Sequence, residues 1–344
     1  MKKALIALAV LGLTGGAAVA QSSVTLFGVL DANMRYTKSS GQNLKKVDSS
    51  GLNTSRFGVR GTEDLGGGLK AGFWLESEVS SDTGVAGGGS AFWGRRATVS
   101  LMGDFGEVRL GRNKTASRLH IEDFDPSQAT GMGNVLAVYS SLGSGTNLAA
   151  GRADNMVSYL TPDNLGGFYG AVDVSAGEGA GTGTTGTANK GYYGRAGYKQ
   201  GALHVSGTYA TVGTTSKYKL AAIGASYDFG IVKPAFNYSQ AKFNDRKEDV
   251  YTLSATAPLG QGLLMASYTD AKFNNAAEVA GISAGDAKLY FVGYVYNLSK
   301  RTALYTTYGT IDNNGAGKFA VAGSPTVVAG RSSSGFDVGI RHSF

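Results

Sequence analysis

The last ten residues, GFDVGIRHSF, place an apolar or aromatic side chain at every second position except His342. Phe336, Val338, Ile340 and Phe344 share one face, and Asp337, Gly339, Arg341 and Ser343 share the other. A period of two is the mark of a strand with one oily and one polar face. Such a strand, with no polar tail after it, exposes an oily edge unless it pairs. The economical partner is the first strand of the same chain, and that pairing closes a barrel.

The same alternation returns along the chain. Val24 to Tyr36 puts Val24, Leu26, Leu30, Met34 and Tyr36 on one face, opposite Thr25, Asp31, Asn33 and Arg35; a polar loop is expected from Thr37 to Thr54. Ser55 to Glu63 sets Phe57 and Val59 against Arg56 and Arg60. Unpaired arginines would be costly in a dry core, whereas a water-filled lumen solvates them. Phe92 to Gly103 directs Ala97, Val99 and Leu101 outward and Arg96, Thr98 and Ser100 inward, and Glu107 to Arg112 follows as a short strand.

Composition removes most other classes. Met1 to Ala20 has Lys2 and Lys3, an apolar run from Ala4 to Leu13 and Ala18-Val19-Ala20, which reads as a cleaved export signal. The mature protein is expected from about Gln21 to Phe344 as one domain. No later run is long and apolar enough for a spanning helix. There is no cysteine, so disulfide and thiolate chemistry are out of reach. The formal net charge is +7, of which Lys2 and Lys3 carry two units, and without a basic run or helix it does not indicate nucleic acid.

Tight turns are expected at Asp64 to Gly68, Asp104 to Gly106, Pro162 to Gly167, Lys199 to Ala202, Asp228 to Ile231, Pro258 to Gly262 and Asn297 to Lys300. Longer polar connections are expected at Val79 to Gly89, Gly177 to Lys190, Ala271 to Gly285 and Asp312 to Ser334. Short and long connections that alternate give a barrel one trimmed rim and one elaborate rim. The expected fold is all-β: a transmembrane antiparallel β-barrel of about sixteen strands.

Five stretches in order, SSVTLFGVLDA, SRFGVRGTEDLGGGLKAGFWLE, RRATVSLMGDFGEVRLGR, NLSKRTALY and VGIRHSF, resemble the trimeric general porins of Gram-negative outer membranes, in the form found in Neisseria and Burkholderia relatives. The resemblance implies a homotrimer in outer-membrane lipid that passes small hydrophilic solutes. It also implies a long third loop folded into the lumen, and a terminal aromatic, here Phe344, read by the insertion machinery. Asn113 to Asp154, far longer than ordinary connections, fits that loop.

By the same resemblance Arg56, Arg96 and Arg152 fall where basic wall residues face the constriction; strand parity independently turns Arg56 and Arg96 inward. Arg60, Arg109 and Arg112 are candidates for further lumen charges, and Glu122, Asp123 and Asp125 for the acids of the loop. The chain lacks the PEFGG string of enteric porins, so those acids have no direct counterpart. Fixed charge beside a narrow wet aperture favours the opposite ion, which here points to modest anion preference.

Other motifs are weaker. Gly181 to Gly186 matches a dinucleotide string but lies in a Gly/Thr/Ala-rich stretch with no following helix. Gly281 to Gly285, around Ser283, matches a nucleophile-elbow string but precedes a strand. His120, His204 and His342 lack metal-ligand spacing. No catalysis, cofactor or metal is therefore expected. Tyr192, Tyr198, Tyr209, Tyr227, Tyr238, Tyr294 and Tyr296 fit either an aromatic girdle or ordinary strand packing. A substrate-selective channel of the same fold is the alternative function, with a lipid hydrolase and an adhesive barrel as rivals from other classes.

Overall fold

The computed structural model describes residues 23–87, 91–144, 149–177, 190–279, 281–282 and 284–344. The expected signal segment, Gly181 to Gly186 and Ser283 therefore lie outside the described residues. Strands β1 (Ser23–Ser39), β2 (Gln42–Ser49), β3 (Arg56–Gly66), β4 (Leu69–Glu78), β5 (Arg96–Gly103) and β6 (Gly106–Lys114) lead into helix α1 (Ala116–Phe124). After it come β7 (Arg152–Leu160), β8 (Phe168–Ser175), β9 (Gly191–Gln200), β10 (Leu203–Val212), β11 (Tyr218–Tyr227), β12 (Lys233–Phe243) and β13 (Arg246–Leu259). Then follow β14 (Gly262–Phe273), the single turn α2 (Asn275–Glu278), β15 (Ala287–Asn297), β16 (Thr302–Asn313) and β17 (Ser333–Ser343).

Each strand from β3 to β17 pairs antiparallel with the next, and β17 pairs with β1 from Val29↔Ser343 to Ser39↔Ser333. The ring is closed. At the seam Gly28 and Phe344 exchange backbone hydrogen bonds of 3.1 Å, and the Phe344 ring covers Gly28 so closely that a Cβ there would overlap it. Sixteen strand positions result from seventeen strands because β2 and β3 occupy one position. The lower half of β1 pairs with β3, and its upper half pairs with β2.

Between those halves residues 50–55 leave the ladder and turn inward, held by one buried carboxylate. Asp31 accepts from the backbone N–H groups of Gly51 (3.1 Å), Leu52 (3.0 Å) and Asn53 (2.7 Å), and from the Tyr305 hydroxyl. Stripped of such donors, a buried carboxylate would carry a desolvation penalty of several kcal/mol. This corrects the expected loop from Thr37 to Thr54: the chain reverses within Ser40-Gly41, both at positive φ, and returns as a strand.

Side chains alternate as the period of two requires. Val24, Leu26, Leu30 and Met34 of β1 are exposed on the outer wall, while Asp31, Asn33, Arg35 and Thr37 are buried inside. A lipid-facing wall stabilises such residues by the oil around it, so exposure of this kind is no defect. Outward aromatic pairs, including Tyr238 with Tyr251 (4.9 Å), Tyr268 with Tyr290 (5.2 Å) and Phe168 with Tyr198 (4.9 Å), lie toward the two rims.

The interior is two-sided. From β11 to β16 several inward residues are apolar and buried, among them Tyr218, Leu220, Val250, Leu289, Phe291 and Ile311. They form one cluster with Met132, Val135, Val138 and Leu142 from the connection after β6. That connection is the third on the long-loop rim, and its described residues, 115–144 and 149–151, pack against the inner wall. Across the lumen, β3 to β7 present arginines instead.

Candidate functional site

Helix α1 shows how the connection is aimed. Thr115 caps it, accepting from Arg118 N–H at 3.2 Å, and its own hydroxyl donates to Ala149 O at 2.7 Å. Ala116, His120 and Phe124 recur every four residues and are buried, as are Ser117 and Ile121, so one stripe faces the wall. His120 donates or accepts at both ring nitrogens, to Ser206 Oγ (2.8 Å) and Asn237 Oδ1 (2.9 Å). Since Oδ1 can only accept, Nε2 carries a proton, while Nδ1 and the Ser206 hydroxyl can take either role. Burial, the main cause, drives its pKa down to about 4 against a smaller opposing contribution from Asn237.

The opposite stripe of α1 carries Arg118 and Glu122, paired at 2.6 Å one turn apart. Glu122 also meets Lys114 of β6 at 2.7 Å. Burial raises the Glu122 pKa, but Lys114 and Arg118 outweigh it and hold the carboxyl below its ordinary value. Gly131, at φ +62°, lies on the carbonyl of Gly51 with no room for a Cβ, so the third connection touches the inward turn of residues 50–55.

Between α1 and the strands β3 to β7 lies an open cavity of about 760 Å³. Its lining holds nine cations (Arg35, Arg56, Arg60, Arg95, Arg96, Arg109, Lys114, Arg118 and Arg152) and three carboxylates (Glu76, Glu78 and Glu122). Arg56, Arg96 and Arg152 are the first residues of β3, β5 and β7, and so they form a tier at one depth. Register ties this tier together, with Arg56 opposite Glu78, Glu76 opposite Arg96, and Lys114 opposite Arg152. Arg60 and Arg109 stand four residues below Arg56 and Arg96 on the same face.

The acids are spent on only some of these cations. Arg95 takes Glu76 at 2.6 Å and Glu78 at 3.6 Å, Arg109 takes Glu107 at 2.8 Å, and Arg56 reaches Glu76 only at 3.8 Å. Arg60, Arg96 and Arg152 have no carboxylate within 4.0 Å among the described residues. Arg152 donates to Arg95 O at 2.9 Å. Arg60 and Arg96 lie over the Trp74 ring, 4.9 and 4.3 Å from its centroid, while Trp74 Nε1 donates to Glu76 at 3.2 Å. The ring orders two guanidiniums without neutralising either, which is the use of a cation–π contact here.

Three expected site residues stand elsewhere. Arg112 shares the outer face with Ala97 and Leu110, because a strand residue faces as its register partner does; it pairs with Asp154 at 2.5 Å and lines no part of the cavity. Asp125 is buried within the third connection, where it accepts from Ser127 N–H (2.9 Å), Ser127 Oγ and Ala129 N–H (2.9 Å), so it folds that segment instead of facing the aperture. Burial raises its pKa against those donors. Asp123 points away from Glu122 to Arg195 at 3.0 Å, in a second space lined by Tyr169, Lys199 and His204. Of the three acids only Glu122 lines the arginine-rich cavity.

Arg95, Lys114 and Arg118 also belong to the site, as does Trp74, which strand parity turns inward with Glu76 and Glu78. For Lys114 and Arg118 the signal is their place at the start of the helix, Lys114 just before the capping Thr115 and Arg118 in the first turn, where its N–H donates to that cap.

A closed ring with an oily outer wall and a hydrated, charged passage is the architecture of an outer-membrane pore. The Gram-negative porin family matches residues 7–316, and the chain belongs to it. Outer membrane porin protein 32 of Delftia acidovorans is 40% identical over the full length of both chains. An outer-membrane porin of Bordetella pertussis is 30% identical, again over both full lengths. Among solved structures the anion-selective porin from Comamonas acidovorans superposes with a TM-score of 0.83 at 36% identity, covering 94% of this chain and all of that one. The protein is a passive diffusion channel of the Gram-negative outer membrane.

Proposed function

We propose that this channel passes small hydrophilic solutes with a preference for anions, set by the tier of Arg56, Arg96 and Arg152 and by Arg60 below it. One observation carries the reading: Arg60, Arg96 and Arg152 line the cavity without a carboxylate within ion-pair distance among the described residues. Low-dielectric walls focus the field of such charges onto the passage. The Comamonas porin is described as anion-selective, in keeping with this assignment. Lys114 and Arg118 both pair with Glu122, so two cations outweigh the single carboxylate there.

The channel assembles as a homotrimer, as the resemblance to trimeric porins implies, and Phe344 serves as the recognition end for the insertion machinery. In a planar bilayer with a KCl gradient, the reversal potential is expected to lie on the chloride side of zero. A potential on the potassium side would overturn the assignment.

A further inference from the structure

A second cavity lies apart from the arginine tier, beside the end of α1 and toward the rim of tight turns. It measures about 340 Å³, near the lower end of the range for sites that enclose small molecules. Register builds it from four neighbouring strands. Ala171 of β8 stands opposite Leu160 of β7 and Arg195 of β9, and Lys199 of β9 stands opposite His204 of β10. Asp163, in the turn between β7 and β8, and Asp123 of α1 complete the charged lining.

The charges of this lining balance without closing on one another. Apart from His204, whose Nε2 meets the Tyr169 hydroxyl at 2.7 Å, there are two cations and two carboxylates. Of these four only Asp123 and Arg195 pair, at 3.0 Å. Lys199 and Asp163 have no ion-pair partner within 4.0 Å, each other included, among the described residues. Arg195 lies over the Tyr169 ring, 5.0 Å from its centroid, and its Nε is buried with no hydrogen-bond partner. A buried donor left unmatched is costly, so this nitrogen favours an acceptor that enters the cavity.

The arginine tier differs in kind, because cations outnumber acids there and an anion alone is matched. Here a lone anion would gain Arg195 and Lys199 but would also meet Asp123 and Asp163, and a lone cation would meet the reverse. A solute that carries one charge of each sign, a few bonds apart, answers the open pair and leaves neither of its own charges unmatched. Leu160 and Ala171 give the remaining wall an apolar surface on which a side chain can rest. We propose that this cavity binds small zwitterions of the α-amino acid class, with the carboxylate on Lys199 and Arg195 Nε and the ammonium on Asp163. The site takes nothing from the anion preference of the tier and stands or falls separately.

The test uses the full-length channel in detergent micelles, titrated with leucine, isocaproate and isoamylamine and read by saturation-transfer NMR. Leucine should bind saturably. Isocaproate lacks the ammonium and isoamylamine lacks the carboxylate, so each leaves one charge of the site unanswered and should bind about tenfold more weakly. Lys199→Gln and Asp163→Asn should each lower the affinity for leucine by about fivefold, the scale of one partly exposed ion pair. Arg152→Gln should leave leucine binding unchanged while it lowers the chloride preference in a bilayer, which separates this site from the tier. Equal binding by either analogue, an unaffected Lys199→Gln or Asp163→Asn, a loss of equal size with Arg152→Gln, or no saturable binding of leucine would each overturn the site.

Discussion

Removal of Arg96 and Arg152 together gives the sharpest reading of how the passage selects. Both line the cavity, and neither has an acid to share its charge. A monovalent ion passing about 6 Å from one guanidinium in water feels about 0.7 kcal/mol, attractive for chloride and repulsive for potassium. At 0.1 M salt, with a screening length of about 10 Å, this falls to about 0.4 kcal/mol. The permeability ratio carries both signs, so each arginine is worth about fourfold and the pair about fifteenfold. At 1 M salt, where the screening length is about 3 Å, the same arithmetic leaves about twofold for the pair. Arg96→Gln with Arg152→Gln should therefore reduce the chloride-to-potassium ratio strongly in dilute salt and barely in concentrated salt. The assay is reversal potential across single-channel bilayers at both ionic strengths. An unchanged ratio in dilute salt, or a loss of equal size at 1 M, would refute a passage governed by screened fixed charge.

Trp74→Leu keeps every charge but frees Arg60 and Arg96, each held by a contact worth about 1 kcal/mol; a partial loss of anion preference and noisier single-channel current are expected, and an unchanged record would deny the ring its ordering role. Glu122→Gln should raise anion preference by about fourfold in 0.1 M salt, and the parent should show the same rise as pH falls below the ordinary glutamate range near 4.3, because the depressed carboxyl protonates only there. His120 is neutral and buried with its pKa pushed down to about 4. Its contribution to docking of α1 is complete above about pH 6.5 and is lost as pH falls toward 4, so intrinsic-rate-corrected hydrogen exchange in α1 should accelerate across that window. Gly28→Leu should overlap the Phe344 ring and lower the temperature at which the folded barrel converts on a heated gel, with Phe344→Ala relieving part of the loss.

Much of the ring was legible because alternation is a local property. Parity alone turned Arg56 and Arg96 inward, and most of the turns from Asp64-Gly68 to Asn297-Lys300 fell where small and polar residues punctuate the pattern. The outward placement of Arg112 is also a matter of parity, since Leu110 and Arg112 lie on one face. The interruption at residues 50–55 was hidden, because what holds it is an aspartate twenty residues earlier and a tyrosine near the other end of the chain. The dry half of the lumen leaves its own trace in the sequence. AKLYFVGYVY is apolar on both faces, as a strand covered on both sides must be. The roles of Glu122, Asp123 and Asp125 could not be separated, since neighbouring residues on a short helix diverge by about 100° and the targets come from distant strands.

The seam between β1 and β17 has a consequence for timing. Residues 29–39 find their partners only in residues 333–343, so nearly the whole polypeptide must be made before the first strand can be satisfied along that side. Until then a long row of amide donors and carbonyl acceptors waits at an open margin, and contacts so distant in the chain form slowly. An incomplete chain would thus gain nothing by entering the bilayer early, and escort of the waiting polypeptide becomes a physical requirement of the architecture.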